Sequence, residues 1–132
     1  SLGGQDTFSC LDMSIIDLNS GCVDFVKLGA TMGFIKHSDT ISAIECESLP
    51  LGIVTSLTPT IKSTMIRSGD MIVLATDGVA DSFASDEIYT DYINNIHTLN
   101  PQELADRLMD KALENNHGVA LDDMTILVAK IF

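Results

Sequence analysis

Basic residues are scarce in this sequence. Seven Lys and Arg stand against nineteen Asp and Glu, a formal net charge of −12 over 132 residues. Such a balance repels phosphate backbones, which excludes a nucleic-acid grip built on counterion release, and it disfavours an anionic membrane surface. Cysteine is rare too. Cys10, Cys22 and Cys46 are odd in number and form no C-x-x-C pair, so neither a disulfide framework nor a zinc knuckle is indicated. Each lies in an apolar, strand-like stretch, so buried, unreactive thiols are the expectation. No apolar run is long enough to span a membrane, and no signal-peptide pattern opens the chain. His37, His97 and His117 share no ligand spacing and read as surface or turn residues. No G-x-S-x-G elbow supports a serine hydrolase, and no Gly-rich loop with Lys supports a nucleotide-binding P-loop. Aromatics make up only 5% and Trp is absent, yet apolar residues reach 45%, far too much for a disordered acidic tail. What remains is a soluble, cytoplasmic, acidic globular domain, suited to cationic partner surfaces or divalent metals. Its first residue is Ser rather than Met, so a cut piece of a longer chain is expected.

The acids are not evenly spread. From Asp77 to Asp123, eleven acids meet two bases, Arg107 and Lys111, a net of −9 in 47 residues. Solvated helical faces account for many of them. Residues 1–76 read as strand and turn. Phe8 to Leu18 and Cys22 to Leu28 flank the turn cluster Asn19-Ser20-Gly21 and predict a hairpin, with Val23, Phe25 and Leu28 as core candidates. Short strands follow at Phe34 to Lys36 and Ile41 to Glu45, then an alternating strand at Thr58 to Arg67. Met71 to Thr76 is almost wholly apolar, as in a strand covered on both faces. After Asp77 the period changes. Ser85 with Glu87, Ile88, Tyr92, Ile93 and Ile96 fits one helix. Asn100-Pro101-Gln102-Glu103 predicts a capped start with a capping box, and Leu104, Leu108, Ala112 and Leu113 form an apolar stripe. Asn115, Asn116 and Gly118 are stop signals. Met124 to Ile131 ends the chain as a strand, and Met71, Met109 and Met124 fall at core-like positions. There is no internal repeat and no low-complexity linker. The class is α+β with segregated helices and two helices before the last strand.

Two segments could carry chemistry. In Met71 to Gly78 a buried strand ends on Asp77, and Gly78 lets the backbone turn behind it. The bland alternative is a plain Asp-Gly turn. In Leu121 to Val128 the adjacent acids Asp122 and Asp123 open a strand, and a regular strand would aim them to opposite sides. The bland alternative there is a solvated acidic turn. If the last strand pairs antiparallel beside the one ending at Asp77, the three carboxylates converge at one end of the sheet. Clustered carboxylates repel unless something positive lies between them. A hard divalent cation with oxygen ligands, Mg²⁺ or Mn²⁺, is the natural occupant.

At these residues the sequence resembles the C-terminal half of the PPM (type 2C) metal-dependent serine/threonine protein phosphatases, most closely the phosphatase domains of bacterial sporulation proteins. "LATDGVADSF" from Leu74 is similar to the family's strand-ending S-D-G motif. "DDMTILVAKIF" from Asp122 is similar to its terminal D-[DN]-x-T motif and last strand. "GATMGFI" at Gly29, "LPLGI" at Leu49 and "NPQELADRLMDKAL" at Asn100 resemble further segments in the family's order. The resemblance implies an α-β-β-α sandwich, here truncated, with mainly antiparallel sheets and a dinuclear Mn²⁺ or Mg²⁺ site between them. Activated water would attack a serine or threonine phosphate in line, with no covalent protein intermediate. By motif, Asp77 and Asp122 are catalytic metal ligands, Asp123 is near the site, and Gly78 supplies the turn behind Asp77. Leu49 to Gly52 and Gly29 to Gly33 shape loops. A phosphorylated regulatory protein, such as an anti-sigma-factor antagonist, is the implied partner.

The family's upstream Asp-Gly-x-Gly element, whose Asp bridges both metals, has no counterpart here. Asp6 and Asp12 are not followed by Gly. Residues 1–132 therefore read as the C-terminal portion of a PPM-type domain, inactive alone, with uncovered sheet faces that favour self-association or domain swapping. In the members it resembles most the domain follows membrane segments, which leaves a membrane-anchored parent open. The alternative function is a non-catalytic, phosphatase-like regulatory binding module.

Overall fold

A computed structural model of the chain describes residues 10–45 and 58–132. In order, the elements are β1 (Leu11–Asp17), β2 (Cys22–Leu28), β3 (Gly33–Lys36), β4 (Ile41–Ile44), β5 (Thr60–Met65), β6 (Met71–Ala75), α1 (Asp77–Ala80), α2 (Asp86–Asn94), α3 (Pro101–Asn115) and β7 (Ile126–Lys130). Two sheets form, ordered β1-β2-β5 and β4-β3-β6-β7. Every strand pair is antiparallel. The α+β class with antiparallel sheets is thus as the sequence predicts. The helical signal after Asp77 adds one element to the two expected, the single turn α1, where the sequence suggests only an Asp-Gly turn.

Local chemistry explains the elements. The Asp17 carboxylate accepts from the backbone N–H of Asn19 at 2.9 Å and of Ser20 at 3.4 Å, closing the β1–β2 turn. Those two amides, and then the Ser20 hydroxyl, hold the Asp17 carboxyl below its ordinary value. Gly21 completes the turn at a φ of 76°. At α2, the Ser85 hydroxyl accepts from Ile88 N. At α3, the Asn100 side chain accepts from Gln102 N at 2.9 Å and Glu103 N at 3.2 Å, with Pro101 at the first helical position. The expected capping box is relayed rather than direct. Glu103 accepts from the Thr98 hydroxyl at 2.8 Å, and that hydroxyl accepts from Asn100 N at 3.1 Å.

β6 lies at the centre of the larger sheet and is covered on both faces. Met71, Val73 and Ala75 pack with Phe34, Val79, Phe83, Tyr89, Ile93, Leu104, Leu108 and Ala112 beneath the helices. Ile72 points the other way and packs with Val23, Phe25, Ile35, Ile44 and Ile66 between the two sheets. The α3 stripe is buried at Leu104, Leu108 and Ala112 as its spacing predicts, while α2 turns Tyr89 inward and leaves Ile88 exposed.

Side-chain parity corrects two expectations. Val23 and Phe25 are fully buried, but the inward residue at the end of β2 is Lys27 rather than Leu28. The ammonium of Lys27, itself fully buried, pairs with Asp12 at 2.7 Å. The two described thiols are not fully buried. Cys10 is exposed just before β1, and Cys22 is half-buried, on the outward parity of the smaller sheet opposite Met65. Cys46 and the Leu49 to Ile53 segment lie outside the described residues.

Candidate metal centre

The register of β6 and β7 builds the site. Ala75 pairs with Ile126, so the end of one strand meets the start of the other. Thr76 extends this pairing. Its N–H donates to Thr125 O at 3.0 Å, its hydroxyl donates to Asp123 O at 3.0 Å, and the same oxygen accepts from Thr125 N at 2.9 Å. Thr76 is also the N-cap of α1 but makes no side-chain cap bond, because its hydroxyl is already committed across the strands. The next residue, Asp77, opens α1. Gly78 is buried against the facing loop, and a Cβ there would collide with the Asp123 carbonyl oxygen and press on the Asp122 Cβ at 3.2 Å. Only glycine allows this approach.

The electrostatics follow. Burial raises the Asp77 carboxyl above its ordinary value, and the negative charges of Asp81 and Asp122 add to the shift. Asp122 folds back so that its carboxylate accepts from Asp123 N at 2.8 Å. Asp123 meets Thr76 through its backbone carbonyl. The structure therefore brings Asp77, Gly78, Asp122 and Asp123 together, with Asp122 the one of the pair whose charge reaches Asp77. Asp81 joins them unforeseen. Its spacing of four from Asp77 is the available signal, and it becomes informative once residues 77–80 are helical rather than a turn. A cavity of about 540 Å³ lies beside the pair, between Met109 and Leu113 of α3 and Leu121 to Met124.

No ion pair involves Asp77, Asp81, Asp122 or Asp123 among the described residues. Carboxylates that lie at one sheet end with no ion-pair partner are donors of the kind a hard divalent cation takes. Among the described residues, no three acidic, histidine or cysteine side chains stand close enough to hold a metal ion as a set. Asp77 and Asp122 alone do not make up such a set.

Comparison with known proteins gives this geometry a family. The family model described as Stage II sporulation protein E (SpoIIE) matches residues 2–132. The chain belongs to the SpoIIE family. It is 33% identical over 131 residues to the stage II sporulation protein E of Priestia megaterium, covering 96% of this chain and 22% of that protein. The Mn-presoaked structure of the SpoIIE phosphatase domain from Bacillus subtilis superposes with a TM-score of 0.81 at 30% identity, over 93% of this chain and 56% of that one. A structure of the PP2C phosphatase domain of Bacillus subtilis SpoIIE with a fragment of its regulatory domain gives a TM-score of 0.84 at 31% identity, over 98% of this chain and 41% of that one. The chain thus spans a minor part of its curated relative and little more than half of the phosphatase domain alone. No described helix is long and apolar enough to cross a membrane.

Proposed function

We propose that residues 1–132 form the C-terminal portion of a PPM-type phosphatase domain, in which Asp77 and Asp122 hold Mn²⁺ or Mg²⁺. The parent protein then hydrolyses phosphoserine or phosphothreonine on a regulatory protein, such as an anti-sigma-factor antagonist. The observation that carries this reading is the convergence of Asp77 and Asp122 across the β6–β7 end, where Gly78 lies directly against Asp122 and Asp123. When bound, a divalent ion lowers the pKa of water and neutralises charge on a phosphoryl group. The remaining work falls to the chain. Thr76 fixes the spacing of the two acidic segments, Gly78 admits the Asp122–Asp123 loop, and Asp123 keeps a further carboxylate near the site. With so few ligands present, the chain alone is inactive.

Phosphate release from a phosphoserine protein by the full domain with Mn²⁺ tests the reading, with Mn²⁺ affinity measured in parallel. Turnover that Asp77→Asn and Asp122→Asn each abolish, together with weakened Mn²⁺ binding, is the expected outcome. A folded full domain that binds no Mn²⁺ and releases no phosphate would instead support the non-catalytic regulatory module.

A further inference from the structure

At the opposite end of β6 from Asp77, three connections meet around a second cavity of about 850 Å³. They are the β3–β4 hairpin, the β5–β6 turn and the α2–α3 link. The five residues of β6 separate this cavity from the acidic cluster by roughly 17 Å at the rise of an extended strand. In a chain with only ten Lys, Arg and His residues, four of them, Lys36, His37, Arg67 and His97, line this one space.

Lys36 is the informative member. It is 6% exposed, and among the described residues its ammonium donates to one neutral acceptor, Asn94 O, at 2.9 Å. No carboxylate pairs with it among the described residues. Burial without a counter-charge is costly for an ammonium, and it lowers the Lys36 pKa. The nearby acids do not relieve it. The Asp70 carboxylate is held by His37 Nδ1 at 3.1 Å and by Arg67 N at 2.9 Å, and Asp39 is exposed on the hairpin. Arg67 and His97 are both exposed, and neither forms an ion pair among the described residues. Met71, Ile96 and Leu99 supply apolar wall between these groups.

We propose that this cavity binds a phosphorylated small molecule, its phosphoryl oxygens taken by Lys36, Arg67 and His97 and its body lying against Met71, Ile96 and Leu99. A phosphoryl dianion supplies the counter-charge that Lys36 lacks, and donors from the end of β3, the β5–β6 turn and the α2–α3 link suit a tetrahedral oxyanion. The volume is that of a site for a nucleotide-sized ligand and exceeds what free phosphate needs.

The test is amide-resolved NMR titration of the full chain in EDTA, with AMP and separately with inorganic phosphate. Expected are saturable shifts over residues 36–40, 67–70 and 97–99, with AMP binding at least about tenfold tighter than phosphate. Arg67→Gln should weaken AMP by at least about tenfold, while Asp77→Asn leaves it unchanged. Lys36→Met should abolish binding yet keep the fold, since it removes an unpaired buried charge. Equal affinities for AMP and phosphate would overturn the ester in favour of the free anion. The absence of saturable shifts by about 10 mM would overturn the site, as would shifts centred on residues 76–78 and 121–125, or unchanged binding in Arg67→Gln and His97→Gln.

Discussion

Thr76 commits one hydroxyl to the Asp123 carbonyl and the Thr125 amide, and Gly78 lets the same loop lie against α1. Neither residue carries charge, yet together they set where the acids stand. Gly78→Ala drives a methyl group into the Asp123 backbone. It should cost about 1–3 kcal/mol, read by chemical denaturation, and weaken Mn²⁺ binding because Asp122 moves with the loop. Asp77→Asn behaves in the opposite sense. The folded state raises the Asp77 carboxyl above its ordinary 3.8, so the native protein takes up that proton at higher pH than the unfolded chain does. The ionised form therefore carries a penalty that is fully present above the folded-state pKa. The penalty fades as pH falls through that pKa, and it is gone below the ordinary value. Because Asp77 is largely exposed, solvent screening keeps the effect to a few tenths of a kcal/mol, as an order of magnitude. Thermal melts in EDTA should show Asp77→Asn slightly more stable than the parent at neutral pH, with the gap closing on acidification. If the variant melts lower at neutral pH, burial and like-charge crowding together are not the dominant influence on Asp77.

At the level of elements, α3 supports β7 and α1, the elements that flank the acidic loop. Leu108 is fully buried among Val73, Val79 and Leu104, and α3 packs on β7. Leu108→Ala should cost about 2–5 kcal/mol in a urea melt, the usual range for a large core side chain cut to methyl. Asn100→Ala removes the acceptor for two first-turn amides and should cost about 1 kcal/mol. These features are legible in the sequence because caps and stripes are local. Asn100-Pro101 announces the helix start, and the spacing of Leu104, Leu108 and Ala112 announces the buried face. The Thr98 relay to Glu103 is not legible, since nothing in a spacing of three distinguishes a direct capping box from one bridged by an upstream hydroxyl.

In the molecule as a whole, helices cover one face of the β4-β3-β6-β7 sheet and the β1-β2-β5 sheet covers the other. The outer face of the smaller sheet carries Leu11, Met13, Ile15, Ile61 and Met65, all exposed. Apolar sheet surface of this kind associates with other chains. Light scattering of the chain at tens of micromolar should report species larger than a monomer, and Ile15→Lys combined with Ile61→Lys should shift them toward the monomer. A monodisperse monomer for the parent chain would count against self-association through this face.

The strands, the helices α2 and α3, the buried run of β6 and the acidic motifs at Asp77 and Asp122-Asp123 could be read from the linear chain, because each rests on neighbours a few positions away. Cys22, Leu28 and Lys27 could not. Which parity of β2 faces inward depends on the second sheet packing against it, and that contact joins residues distant in sequence. Asp81 likewise gains its bearing on Asp77 only once α1 forms, and the need for glycine at 78 arises from a loop more than forty positions downstream. Lys36, Arg67 and His97 line one cavity from a strand end and two connections that local pattern treats as unrelated. Local periodicity encodes what a segment is, whereas long-range packing decides which of its side chains meet.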